Sequence, residues 1–240
     1  MERSPVDMVR GPIVRQLSYD EAMLLRPPPR FTGLPRDGFP AFAFPDREER
    51  RQAIIGAFHP ALKLLADDIL AVLEVGAGPP FHVHLPQLNW PKGYVPFCTW
   101  LTVSREAHGY QAGPQLGVGI HADHVVARLG WDASANAFGR FEFLCRHGGL
   151  ETALLEAAHA AHASIRVYAA APWPAGSRLT FESESDLAGS FDEVRRRGVF
   201  WELGRRWEIP ASLDRVTEPA WSDDVRDVMV ALQPLYERIL

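Results

Sequence analysis

Histidine carries the clearest chemical pattern in this chain. Of nine histidines, four stand in two tight groups, His82-Val83-His84 and His121-Ala122-Asp123-His124. Both groups lie in stretches where apolar residues alternate, and on a strand residues two apart share a face. His82 and His84 are therefore side by side. If Ala122-Asp123 is the turn of a two-residue hairpin, His121 and His124 oppose each other across the ladder. Ala-Asp is not a favoured turn pair, so that register stays open. Four neutral imidazoles converging from adjacent strands would suit zinc or iron. Asp123 or a glutamate could complete a hydrolytic centre. Histidine pairs on strands also occur as surface or hydrogen-bonded residues, and nothing in the sequence places the two groups next to each other.

Familiar catalytic signatures do not complete the picture. Gly119-Ile120-His121-Ala122-Asp123-His124 resembles the HxHxDH motif of metallo-β-lactamase-fold hydrolases, but Gly119 stands where the first metal-holding histidine belongs. Neither an HExxH helix nor a GxSxG elbow occurs, and a P-loop is missing too. Gly113 to Gly119 is glycine-rich, yet it falls on an expected strand and not before a helix, so it cannot cradle a phosphate. Glycine in a strand marks a bulge or a close backbone approach. Asp67-Asp68 and Glu48-Glu49 read as solvated helix-surface carboxylates. Cys98 and Cys145 lie in apolar runs and read as reduced core thiols.

Aromatic residues are the second feature. Trp90, Tyr94, Trp100 and Tyr110 surround the first histidine group in sequence. Core filling accounts for most of them. Histidine and aromatic side chains lining a concave sheet would equally suit a pocket for a small organic ligand.

These residues must be held by a frame, and the bulk numbers bound it. At 240 residues the chain is near the upper end of a single domain, and folding can bury roughly 70% of the surface its unfolded chain exposes. No disulfide or structural metal is required. The net charge of −5 with only Lys63 and Lys92 as lysines leaves no basic stripe, which argues against nucleic-acid binding. Arg195-Arg196-Arg197 is a short run at a helix end, where cations complement the dipole. No apolar run reaches the roughly 18 residues a membrane span needs, and no secretory signal is visible, so a cytoplasmic location is expected.

Residues 1–30 read as an arm ending in the stiff Arg26-Pro27-Pro28-Pro29-Arg30 linker, with a short helix over Ser18–Leu24. The arm is expected to pack on the domain, on a protein partner or on a second copy. Residues 31–240 are expected to form one domain. Apolar residues recur at helical spacing from Asp46 to Leu73, with Pro60 dividing or kinking that helix. Strands are expected at Phe81–Leu85, Phe97–Val103, Gln115–His121, His124–Trp131, Ala137–Cys145, Ser164–Ala170, Arg178–Glu182 and Phe200–Ile209. Helices are expected at Gly149–Ala163, Ser185–Arg197 and Asp223–Leu240, the last opened by Ser222 as N-cap. Short connections favour hairpins, and the whole is an α+β fold, a mostly antiparallel sheet flanked by N-terminal, middle and C-terminal helices.

The run Gly109-Tyr110-Gln111-Ala112-Gly113-Pro114-Gln115-Leu116-Gly117-Val118-Gly119-Ile120-His121-Ala122-Asp123-His124-Val125 resembles the signature GYKxxPHFQIGLWxxHVF of the YktB-like bacterial proteins, a family of unknown function. Gly109, Tyr110, Pro114, Gly119, His124 and Val125 match it. Phe31-Thr32 through Phe39, Val83-His84, Thr99-Trp100 and Glu202-Leu203-Gly204-Arg205 are similar to further family segments. Gln87-Leu88-Asn89-Trp90-Pro91 replaces a basic run of the family, Gln115 replaces a histidine, and His82 and His121 lie outside its pattern. The resemblance implies an α+β fold on an antiparallel sheet and supplies no activity.

Family match and chemistry together single out His84, Thr99, Trp100, Tyr110 and His124 as a pocket. The leading expectation is a small-molecule-binding or regulatory domain. A metal-dependent hydrolase using His82, His84, His121 and His124 is the alternative, and an interaction module acting through the arm is a third. No cofactor is specified.

Overall fold

In a computed structural model the described residues are 30–73, 79–89, 95–132, 136–168, 178–181, 184–197 and 200–240. The expected helix at 18–24, the arm that carries it, and Trp90 and Tyr94 lie outside them.

The first long element is helix α1, Arg47–Leu73. Asp46 starts it, its carboxylate accepting from the Glu49 amide at 2.8 Å, the usual way an orphan first-turn donor is satisfied. Ile54, Phe58, Leu62, Leu65, Ile69 and Leu73 are fully buried along one stripe. Pro60 neither divides nor ends the helix, contrary to the simpler expectation from sequence. It lies on the exposed side, so the carbonyl it leaves unbonded, that of exposed Gly56, can turn to water. An interior proline costs about 3 kcal/mol. Each buried side chain of the stripe contributes about 1.5–3 kcal/mol, so the stripe wins.

Seven strands follow among the described residues: β1 (His82–His84), β2 (Cys98–Ser104), β3 (Gln115–His121), β4 (His124–Asp132), β5 (Ser164–Tyr168), β6 (Arg178–Phe181) and β7 (Phe200–Glu208). They form one sheet in the order β1-β2-β3-β4-β7-β5-β6, and every pairing is antiparallel. The α+β architecture read from the sequence is the observed one. Among the described residues no helix is long and apolar enough to cross a membrane.

Between β4 and β5 come helices α2 (Asn136–His147) and α3 (Leu150–Ala160). The first corrects the strand expected at Ala137–Cys145. Phe141, Phe143 and Cys145 alternate as a strand would, but the buried residues are Phe138, Phe141 and Cys145, spaced three and four apart, while Phe143 is 61% exposed. That spacing is helical. Phe141 stacks on Trp131 at 4.2 Å and meets Trp201 at 4.9 Å, so the helix is fixed by an aromatic cluster that only the tertiary fold assembles. Helix α4 (Glu184–Arg197) precedes β7, and α5 (Leu213–Val216) and α6 (Trp221–Ile239) close the chain. Ser222 does not cap α6. The helix begins one residue earlier, and the Ser222 hydroxyl donates back to the Pro219 carbonyl at 3.1 Å.

The helices gather on one face of the sheet. Trp207 meets Trp221 of α6 at 5.4 Å, Phe191 of α4 packs on Trp201, and Thr99 faces His59 of α1. Leu116, Val118 and Ile120 of β3 and Val125, Ala127, Leu129 and Trp131 of β4 all belong to this core. Alternation therefore sends Gln115, Gly117, Gly119, His121, His124, Arg128, Glu202, Gly204 and Tyr168 to the opposite face. None of the described α-helices packs there.

Candidate functional site

Glycine shapes that second face. Arg128 is paired with Gly117 on one side and Gly204 on the other, and Gly119 lies one row away, opposite Trp100. A methyl group on Gly204 would stand 2.7 Å from the Ala127 carbonyl oxygen and 2.9 Å from the Arg128 Cβ, closer than side chains approach. The backbones come together where these side chains are missing, and Arg128 lies over bare backbone. Its guanidinium carbon is 3.8 Å from where a Gly119 methyl would be.

A cavity of about 340 Å³ opens on this face beside Gly119 and Arg128. Among the described residues its walls are Phe97, Cys98, Thr99, Trp100, Tyr110, Gln111, Gln115, Gly119, His121, Arg128, Asp132, Tyr168 and Phe200. Five of those thirteen are aromatic, with two amides and two charged groups. That composition is a flat-sided apolar slot with a few polar handles, the usual make-up of a small-molecule site.

Arg128 is the best-anchored polar handle. Its Nη1 donates to the Glu202 carboxylate at 2.8 Å, and its guanidinium lies over the Phe200 ring at 4.4 Å. Glu202 is fully buried and also accepts from the Tyr168 hydroxyl. Arg166, paired with Glu202 in the sheet, donates to the Gly204 carbonyl at 3.3 Å. A buried carboxylate needs such company. The Arg128 guanidinium carries five N–H donors in all, and its side chain borders the cavity.

At the other end, His121 lies in the wall and its ring stacks on His124 at 4.1 Å and 11°. The register the sequence left open is the two-residue hairpin, since Ile120 pairs with Val125 and the two histidines are the next pair out. Asp123 accepts from His124 Nδ1 at 2.6 Å, which fixes that tautomer, and Arg206 lies 3.8 Å from Asp123. His124 is fully buried behind His121, one layer from the cavity. Cys98 is paired with His121. Burial pushes its thiol up to about 12, so it is an uncharged SH group and no nucleophile at neutral pH. Cys145 is also free and buried, likewise raised to about 12 by burial.

Trp100 and Tyr110 line the cavity, and the Trp100 Nε1–H points at the Tyr110 hydroxyl at 3.4 Å. His84 stacks behind Tyr110 at 4.5 Å and its Nε2–H donates to the Glu106 carbonyl at 2.9 Å. It braces the tyrosine without joining the wall. Desolvation holds its imidazole below the usual range, and the neighbouring His82 and His108 push the same way. Thr99 borders the cavity, but its hydroxyl is turned to the other side of the sheet, 3.0 Å from His59 Nε2.

The two histidine groups do not meet. His84 pairs with Thr102 and His121 with Cys98, four residues apart along β2, or roughly 13 Å. Among the described residues no group of three or more His, Cys, Asp or Glu side chains is set to hold a metal ion.

Sequence reasoning passed over Arg128, Glu202, Tyr168 and Phe200. A signal was present. Arg128 interrupts Val125-Val126-Ala127-Arg128-Leu129, and Glu202 interrupts Phe200-Trp201-Glu202-Leu203. Opposite charges in two otherwise apolar strands call for one another if the strands pair.

Residues 35–137 match the model of a family described as a domain of unknown function (DUF1054). The matched stretch contains α1, β1 to β4 and the cavity wall from Phe97 to Asp132. A comparison with curated proteins finds no match.

Proposed function

We propose that this protein binds a small organic molecule in the cavity on the face of its sheet away from the described α-helices, as a binding or regulatory domain. One observation carries the reading: an arginine held by a buried carboxylate opens onto a slot walled by Phe97, Trp100, Tyr110, Tyr168 and Phe200. Ordinary folding gains little from such a constellation. A buried ion pair contributes little net stability over apolar packing, and Gly119, in the cavity wall, weakens a central strand. Both features make sense if the cavity beside them has an occupant. The resemblance to YktB-like proteins supports the same place, since Tyr110, Thr99-Trp100 and Gly119 border the cavity.

The test is a thermal-shift screen of the full chain against a library of water-soluble metabolites, repeated on Trp100→Ala. A binder at 100 times its dissociation constant stabilises by about 2.7 kcal/mol. The proposal expects such shifts in the wild type, lost in the variant. Shifts that persist unchanged in Trp100→Ala would place binding elsewhere and contradict it.

A further inference from the structure

The ligand class can be argued from how the cavity handles charge, on the premise that the cavity is the binding site. We infer that it takes an uncharged, flat heteroaromatic compound of one or two rings, a nucleobase-like molecule, in preference to an aromatic acid.

Size comes first. At about 340 Å³ the cavity stands near the lower end of small-molecule pockets, too small for a dinucleotide and right for a ring system. The walls are rings themselves, and flat surfaces of this kind favour stacking. The wall agrees: Gly119 presents bare backbone between His121 and Arg128, which also line the cavity, so no side chain stands between those two polar groups.

Charge comes second. Among the described residues the charged side chains of the wall are Arg128 and Asp132. Arg128 is paired with Glu202, which is buried beside it. A ligand carboxylate would lose its hydration to face a cation already paired with a buried carboxylate. Desolvation of that third charge would not be repaid. A neutral acceptor pays no such penalty, and the planar fork of Arg128 can donate to a ring carbonyl and ring nitrogen together, as arginine does to guanine edges.

Hydrogen-bond type comes third. Gln111 and Gln115 each offer an amide carbonyl and two N–H donors, which suits a ligand carrying donors and acceptors on one edge. A carboxylate, an acceptor only, would leave the amide carbonyls unmatched.

The experiment is isothermal titration calorimetry of the full chain near neutral pH with two probe sets. One is xanthine, adenine, uracil and pterin; the other is benzoate, 4-hydroxyphenylacetate and indole-3-acetate. The same titrations are run on Gln111→Ala, whose residue is exposed on the short 3-10 turn Tyr110–Ala112, and on the paired Arg128→Met, Glu202→Gln variant, which leaves no buried charge alone. The expected result is that at least one neutral heterocycle binds at least about tenfold more tightly than any of the acids, with each variant weakening it about tenfold. If an acid binds more tightly and is lost with Arg128, the cavity is the site but the ligand class is wrong. If neither set binds, the class is overturned, and the metabolite screen alone decides whether the cavity binds anything.

Discussion

At the scale of single residues, the cavity rests on one ion pair and a few missing side chains. Arg128 and Glu202 are mutually dependent because Glu202 has no exposure of its own. Arg128→Met alone strands a buried carboxylate and is expected to cost about 3–5 kcal/mol. Adding Glu202→Gln should return most of that loss, which urea melts of the four members of the cycle will measure. Equal losses in the single and the double variant would mean that the two groups do not lean on each other. The glycines divide in the same way. Gly204→Ala drives a methyl into the Ala127 carbonyl and should cost about 1–3 kcal/mol. Gly119→Ala meets only the Val126 side chain at 3.1 Å and the softer groups beyond it, so its effect should fall on ligand binding more than on the melting point.

At the scale of elements, the corrected segment is the sharpest test. If residues 136–147 form a helix against the aromatic cluster, Phe141→Ala costs about 3–5 kcal/mol, whereas Phe143→Ser stays within about 0.5 kcal/mol. A strand would put both on one face and penalise both. The difference shows what the sequence can and cannot convey. Strands β2, β3, β4 and β7 were legible because each is long and sends alternate apolar residues to the helix-packed face. The Phe141-Phe143-Cys145 alternation was misleading because its true partners, Trp131, Trp201 and Phe191, arrive from distant parts of the chain. Pro60 misled for a similar reason: the local rule is sound, but it is outweighed by a stripe buried against α6 and the sheet. The site was half legible. Trp100, Tyr110 and the opposed His121 and His124 follow from alternation and hairpin register. Arg128 and Glu202 required knowing that β4 pairs with β7, a contact across more than seventy residues that no local pattern encodes.

At the scale of the molecule, two histidines tie stability to pH. His59, half-buried against Thr99, and His84, behind Tyr110, are both held below the ordinary value of 6.5, chiefly by desolvation. Folding therefore favours their neutral forms. Below that value the unfolded chain binds more protons, so this stability is intact above about pH 6.5 and is lost as the pH falls toward the depressed folded values. Melting temperature should drop between about pH 7.5 and pH 5.5, and the drop should shrink in a His59→Gln, His84→Gln variant. An unchanged slope would assign the loss to other groups.

The molecule as a whole is an antiparallel sheet with its described α-helices on one side and a cavity on the other, and the central claim is that this cavity is where a small molecule binds. The most direct measurement is a two-dimensional amide NMR titration of the isotope-labelled chain with the strongest binder from the metabolite screen. The account predicts shifts concentrated on the amides of Trp100, Tyr110, Gln111, Gly119, His121 and Arg128, with the helix-covered face of α1 and α6 unmoved. Shifts centred on those helices, with the cavity amides silent, would contradict it.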